Sequence, residues 1–169
     1  MNSDEHTKVL LSLGSNLNDR KANILSAIEL IKLSGALTNV EVSSFYETAP
    51  VGVTDQPSFL NIAATGYTGL LPSELLPLLK RIEKQIGRIE RERWHEREID
   101  IDIILYGTHV FLSEDICIPH TRAAERRFIL APSAEIAGDM LHPIENMTIE
   151  KLLSVCPDSS EVKLLSEGV

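Results

Sequence analysis

Residues Val9 to Leu13 form a short apolar run that stops at Gly14-Ser15-Asn16, a turn signal, so a buried strand entering a loop is predicted. Asn18 or Asp19 can cap the next helix by accepting hydrogen bonds from its unpaired first-turn N–H groups. Ile24, Ala27, Ile28 and Ile31 recur at three- and four-residue spacing, one buried helical stripe, and Gly35 can take the left-handed conformation that stops it. Val40 to Tyr46 is β-branched or aromatic with rough alternation and predicts a second strand, followed by a loop over Thr48 to Pro57. Phe59 to Tyr67 predicts a third strand. Pro72 suits the first position of a second helix, where its missing N–H costs nothing. That helix carries the stripe Leu75, Leu78, Leu79, Ile82 and Ile86 and ends at Gly87. Pro77 inside it predicts a bend or a late start, because its ring removes one backbone bond. Gly87 to Glu98 is a charged loop, and Ile99 to Tyr106 alternates as a fourth strand.

The order is strand, helix, strand, strand, helix, strand. It predicts an α+β, ferredoxin-like βαββαβ core, an antiparallel sheet with two covering helices. Beyond Gly107 an edge hairpin, short helices around Ala123–Arg126 and Pro132–Ile136, and a helix from Ile149 to Val155 form a C-terminal extension. No repeat, linker or low-complexity tract interrupts the chain, so residues 1–169 are expected to be one domain.

Composition narrows the classes. The chain has 169 residues, 43% of them hydrophobic and 24% charged, which excludes wholesale disorder. A net charge of −9 disfavours a protein that coats nucleic acid by neutralising phosphates, yet leaves room for a small anion held by a local basic cluster. Cys117 and Cys156 form no CxxC pair and read as buried or free thiols in a reducing compartment. The first eight residues lack a secretory pattern and no apolar run is long enough to span a bilayer, so a cytoplasmic protein, expected to be a monomer, is predicted.

The strongest chemical signal is Ile99-Asp100-Ile101-Asp102-Ile103. On a strand Asp100 and Asp102 share a face, with α-carbons roughly 6–7 Å apart, and the isoleucines line the other. Such a pair can hold divalent ions around a polyphosphate; the alternative is a merely solvated polar face. The second signal is basic: Arg88, Arg91, Arg93 and Arg97 precede the pair, and His120, Arg122, Arg126 and Arg127 follow it. Arginine forks suit phosphate oxygens, although Glu90, Glu92, Glu96 and Glu98 could neutralise the loop from within. The third is an aromatic and amide set: Phe59 and Asn61 on one strand face, Trp94 and Phe128 in or near loops. Aromatic faces can sandwich a flat heterocycle while an amide reads its edge. No phosphate loop, dinucleotide fingerprint, nucleophile elbow or metalloprotease helix is present.

Several segments together resemble 6-hydroxymethyl-7,8-dihydropterin pyrophosphokinases. They are Leu13-Gly14-Ser15-Asn16-Leu17, Ser43 through Pro50, Asp55-Gln56-Pro57, Phe59-Leu60-Asn61, Arg93-Trp94 with Arg97 and the Asp pair, and Pro119-His120 with Glu125-Arg126 and Phe128. The match runs from about residue 9 to residue 137. The resemblance implies transfer of pyrophosphate from ATP to the pterin hydroxymethyl group, giving AMP. It also implies two Mg²⁺ ions on Asp100 and Asp102, and a pterin site of Thr48, Val51, Phe59, Asn61, Trp94 and Phe128. Glu83, Arg88, Trp94, Arg97, Ile103, His120 and Arg126 match ATP-binding positions, with Arg88, Arg97 and Arg126 as the catalytic cations. Loops near 15–20, 49–58 and 88–98 resemble mobile loops that close over substrate. His95-Glu96 replaces the usual Gly-Pro, Thr121 stands where Pro or Tyr is common, and Arg127 stands where a small residue is usual. Asp115 and Cys117 fall where adenosine contacts are expected. A rival is a ferredoxin-like module that binds a small ligand without turnover. A metal-dependent nuclease is a third reading, disfavoured by the acidic charge.

Overall fold

The computed structural model describes residues 6–50, 52 and 54–165. In chain order the elements are β1 (Thr7–Ser15), α1 (Arg20–Leu33), β2 (Thr38–Val42), β3 (Tyr46–Thr48), β4 (Phe59–Thr68), α2 (Pro72–Ile86) and β5 (Asp100–Tyr106). There follow β6 (Phe111–Leu112), β7 (Cys117–Ile118), a 3₁₀ turn (Ala123–Glu125), α3 (Arg127–Ala137), β8 (Leu141–His142), β9 (Met147–Thr148), α4 (Ile149–Ser154) and β10 (Val162–Leu164). The main sheet runs β5-β1-β4-β3-β10, with β2 also on β4, and every pairing is antiparallel. The result is a mixed fold of helices on an antiparallel sheet.

Local chemistry explains most boundaries. Asp19 is the cap of α1: its Oδ1 accepts the Ala22 N–H at 3.0 Å. Gly35, at φ +72°, follows the last turn. Pro72 opens α2, and the Leu71 N–H donates to Glu74 Oε2 at 2.8 Å. Helix α2 does not start late. Pro77 is exposed, and so is Ser73, whose carbonyl loses its partner on the side where water can replace it.

The helix expected around Pro132–Ile136 begins five residues earlier, at Arg127, with Pro132 inside it. Three further differences from the sequence reading concern the strands. β1 does not end at Leu13 but continues through Gly14 and Ser15, which pair with Asn61 and Leu60 of β4. The predicted Val40–Tyr46 strand is two strands. Val42 faces Ala64 while Tyr46 faces Asn61, so four steps on one side meet three on the other. Ser43 fills the break: its N–H donates to the Ala63 carbonyl and its Oγ accepts the Ala63 N–H, both at 2.9 Å. The hairpin beyond Gly107 is β6 on β7, a separate sheet rather than an edge of the main one. It is tied to β5 where the His120 N–H donates to the Ile104 carbonyl at 3.1 Å.

The pleat sorts side chains into two layers. Val9, Leu11 and Leu13 of β1, Leu60 and Ile62 of β4, and Ile101 and Ile103 of β5 pack against the stripes of α1 and α2. On the opposite face Leu10, Ala63, Ile104 and Leu105 pack against Ile129, Leu130 and Ala137 of α3 and Ile149 and Leu152 of α4. The C-terminal extension therefore covers half of the sheet's second face and leaves the other half open. Ile104 and Leu105 can both face this layer because the register with β1 shifts between Leu10 and Leu11. Among the described residues no helix is long and apolar enough to cross a membrane.

If the second layer is integral to the fold, Leu130→Ala should lower stability by about 2–5 kcal/mol in one cooperative urea transition. An unchanged midpoint would show that residues 127–154 are a detachable appendix.

Candidate functional site

The uncovered half of the second face is where polar residues enter the pleat. Gly14 lies between Asn61 and Asp100, and Ser12 between Ala63 and Asp102. Phe59, Asn61, Ser12, Gly14, Asp100 and Asp102 therefore line one surface, and with the surrounding loops they enclose a cavity of about 380 Å³. Gly14 has a steric task. A Cβ there would stand 2.8 Å from Asn61 Oδ1, so only glycine lets the amide lie across β1. Asn61 is buried, and its Nδ2 donates to Thr48 Oγ1 at 2.7 Å, leaving one N–H and the Oδ1 for a ligand.

The cavity gathers most of the residues singled out from the sequence. Thr48, Phe59, Asn61, Arg88, Trp94, Arg97, Asp100, Asp102, His120, Arg126 and Phe128 all line it. Val51 lies outside the described residues. Two of the residues matched to ATP-binding positions do not line it. Ile103 is in the α1–α2 core, on the face opposite Asp102, because neighbouring strand residues point to opposite sides. Glu83 is buried on α2, where its Oε1 accepts the Ile101 N–H at 2.8 Å and the Lys80 Nζ at 3.1 Å. It supplies the outer edge of β5 with an acceptor, on the residue between the two aspartates. Burial raises its pKa against the opposing pull of Lys80 and the Ile101 N–H. Of the departures from the family pattern, His95 and Thr121 line the cavity. Arg127 does not line it; its backbone N–H donates to Asp158 Oδ2 at 3.0 Å. Asp115 and Cys117 do not line it.

The basic loop divides its labour. Arg91 pairs with the buried Glu98 at 2.8 Å, and that hydrogen bond holds the carboxyl down at about 2. Arg88, Arg93 and Arg97 face the cavity instead. Arg88 reaches Asp100 Oδ1 at 3.1 Å, and Arg97 pairs with Asp100 Oδ2. The buried Arg88 Nε makes no hydrogen bond among the described residues and stands 3.7 Å from Glu83 Oε2. Arg126 lies over the rings of both Trp94, at 5.4 Å, and Phe128, at 5.8 Å. Burial, then the charge of Arg122, lowers its pKa.

Asp102 stands half-buried without a protein partner. It makes no hydrogen bond or ion pair among the described residues, and desolvation, then the Asp100 charge, pushes its pKa up. A hard dication would relieve both effects. Asp100 would have to exchange its arginines for the ion, and among the described residues no third acid, His or Cys completes a metal cluster. Two carboxylates with the remaining positions left to phosphate oxygens and water is the usual provision for Mg²⁺, so the donor set fits. His120, beside Asp102 through the Ile104 bond, has its pKa lowered by burial first.

Sequence reasoning missed Ser12, Gly14, Ala49, Lys80 and Ile129 as cavity residues. The first two had a signal: small residues alternate with Leu11 and Leu13 at the period of a strand. Asn16 proved to be more than a turn residue. Buried at 1% exposure, it donates its N–H to the Arg97 carbonyl (3.1 Å) and accepts the Arg97 N–H on Oδ1 (2.8 Å). Its Nδ2 donates to Gln56 Oε1 (2.9 Å) and the Pro57 carbonyl (3.1 Å), and Gln56 Nε2 donates to the Trp94 carbonyl (2.8 Å). Gly52 adds a contact: a Cβ there would approach Trp94 Cβ to 3.2 Å. One side chain thus ties three loops together above the cavity. Asn16→Ala should cost about 1–3 kcal/mol and make the Arg97 amide exchange its hydrogen roughly tenfold faster or more. Unaltered exchange at Arg97 would contradict the clamp.

Comparison with known proteins converges on one family. The model of the family described as "7,8-dihydro-6-hydroxymethylpterin-pyrophosphokinase (HPPK)" matches residues 10–138. The chain is 44% identical over 126 residues to the 2-amino-4-hydroxy-6-hydroxymethyldihydropteridine pyrophosphokinase of Bacillus subtilis, covering 75% of each chain. It is 38% identical over 154 residues to that of Haemophilus influenzae, covering 91% of this chain and 96% of the relative. A folate synthesis bifunctional protein of Arabidopsis thaliana is 46% identical over 132 residues, 78% of this chain, but the match spans only 27% of the relative's length. Among solved structures, wild-type HPPK-DHPS of Plasmodium falciparum with pteroate superposes with a TM-score of 0.71 at 15% identity, over 91% of this chain and 43% of that one; it bears on the fold alone. With the family match extending from within β1 to the end of α3, the elements that build the cavity, the chain belongs to the 7,8-dihydro-6-hydroxymethylpterin pyrophosphokinase family.

Proposed function

We propose that this protein transfers pyrophosphate from ATP to 6-hydroxymethyl-7,8-dihydropterin in a Mg²⁺-dependent reaction, giving AMP and the pterin diphosphate for folate biosynthesis. The observation that carries the reading is one cavity with two chemistries. Phe59, Phe128, Asn61 and Thr48 offer flat apolar faces and an amide, while Asp100, Asp102 and five arginines stand alongside. The unit is residues 1–169, acting as one domain, and the sheet order β5-β1-β4-β3 with α1 and α2 on one face supports a ferredoxin-like core.

Phe59 from β4 and Phe128 from the first turn of α3 stack on the pterin ring, and Trp94 closes the aromatic wall. Asn61 reads the ring's polar edge, its rotation fixed by Thr48 and by the open space over Gly14. Arg88, Arg97, Arg126 and His120 hold the triphosphate, with Ile103 and Glu83 shaping the β5 edge beneath it. When bound, Mg²⁺ on Asp100 and Asp102 neutralises the phosphates and makes the β-phosphorus a better electrophile. The pterin hydroxyl oxygen bonds to that phosphorus, the bond to the α,β-bridging oxygen breaks, and AMP leaves with it. The hydroxyl proton passes to a phosphate oxygen and leaves with the products. Arg97 and Arg126 place positive charge where the bridging and terminal oxygens become more negative. The Asn16 clamp keeps water from the transferring group by closing the loops.

Incubation with ATP, Mg²⁺ and the hydroxymethyl pterin should release AMP in step with pterin diphosphate. ADP as the nucleotide product would refute pyrophosphoryl transfer, and Mg²⁺-independent pterin binding without AMP would favour a non-catalytic module.

Asp102→Asn should lower kcat by about 10²–10³-fold. Its melting temperature at pH 7.5 should equal or exceed that of the unaltered protein. The folded pKa of Asp102 lies above its unfolded value, so its ionised form opposes folding once pH exceeds that value, and the amide removes the penalty. Turnover within a factor of a few of the unaltered rate would remove the metal role.

A further inference from the structure

Lys80 sits on α2 three residues before Glu83 and lines the cavity. Every other Lys or Arg of the cavity, Arg88, Arg93, Arg97, Arg122 and Arg126, stands in a loop or at a helix end. Lys80 is therefore the cavity's one lysine or arginine within a regular element, among the described residues. Its Nζ is 3.1 Å from Glu83 Oε1, and Glu83 is in turn fixed by the Ile101 N–H between the two aspartates. The ammonium is so held beside the β5 acids.

Lys80 is not needed simply to neutralise Glu83, which has the Ile101 N–H and Arg88 as well. Nor is it locked: its side chain is 42% exposed. An ammonium has three donors, and one bond to Glu83 leaves two for other acceptors. The acceptors that suit that place, among Arg88, Arg97 and the acids, are phosphate oxygens.

We propose that Lys80 is a further triphosphate-binding residue, contacting the β- or γ-phosphate from a fixed helical position and so independent of loop closure. The proposal rests on the pyrophosphokinase reading for its ligand, but its test does not. Binding of MgATP and of AMP is measured by calorimetry, without pterin, for the unaltered protein, Lys80→Met, Lys80→Gln and Lys80→Arg. Lys80→Met and Lys80→Gln should bind MgATP roughly 10- to 100-fold more weakly, with AMP affinity unchanged and Lys80→Arg largely restored. In turnover assays the KM for ATP should rise while that for the pterin holds.

Equal losses for AMP and MgATP would place Lys80 at the nucleoside and overturn the assignment, as would unchanged MgATP affinity. Should Lys80→Met fail to fold, Lys80→Gln and Lys80→Arg decide by the same comparison. If the unaltered protein binds MgATP yet forms no AMP, the reaction reading fails while the binding comparison still judges Lys80.

Discussion

Asn61, Gly14 and Asp100 lie side by side across β4, β1 and β5, and Ala63, Ser12 and Asp102 form the next row. This antiparallel register is the constraint on which the rest depends. It brings an amide from one strand and a carboxylate from another to either side of a residue with no side chain. A one-residue slip of β5 would turn Asp100 and Asp102 into the α1–α2 core and Ile101 and Ile103 toward the cavity. The slip is prevented by Ile101 and Ile103, fully or nearly fully buried in that core, and by the Glu83 carboxylate on the Ile101 N–H. The apolar half of the strand thus fixes the position of its acidic half.

Charge balance gives the cavity its character. Two acids face six Lys and Arg side chains within a chain whose net charge is −9. The arrangement is asymmetric: Asp100 is shared between Arg88 and Arg97, whereas Asp102 has no direct partner among the described residues. Arginines with oxygen-seeking forks and a half-buried acid without a partner are complementary demands. A polyanion carrying divalent ions meets both together, which neither an anion nor a cation alone would do.

The loops are joined by polar contacts rather than by apolar packing. Asn16, Gln56 and the backbones of Pro57, Trp94 and Arg97 form a chain of hydrogen bonds, with Gly52 against the indole. Trp94 itself has φ +73°, a left-handed conformation unusual for a bulky residue, and two arginines lie over its ring. Such contacts open at lower cost than a buried apolar seam, because water can replace each partner as it separates.

The periods of the sequence determined the elements and the faces. The stripe of Ile24, Ala27, Ile28 and Ile31, the alternation through Asp100 and Asp102, and the pairing of Phe59 with Asn61 are local patterns, and each lies in the structure as its spacing requires. The ordered motifs also made the family legible before any fold was known. What they could not supply depends on contacts between distant segments. Ser43 breaking one apolar run into two strands, Gly14 serving Asn61 rather than a turn, and Asn16 reaching residues 40 and 81 positions away are fixed only by partners elsewhere in the chain. The same holds for Lys80 and Glu83. Their helical spacing is visible in the sequence, but only packing of α2 along β5 decides that the carboxylate turns to the strand backbone and the ammonium toward the cavity.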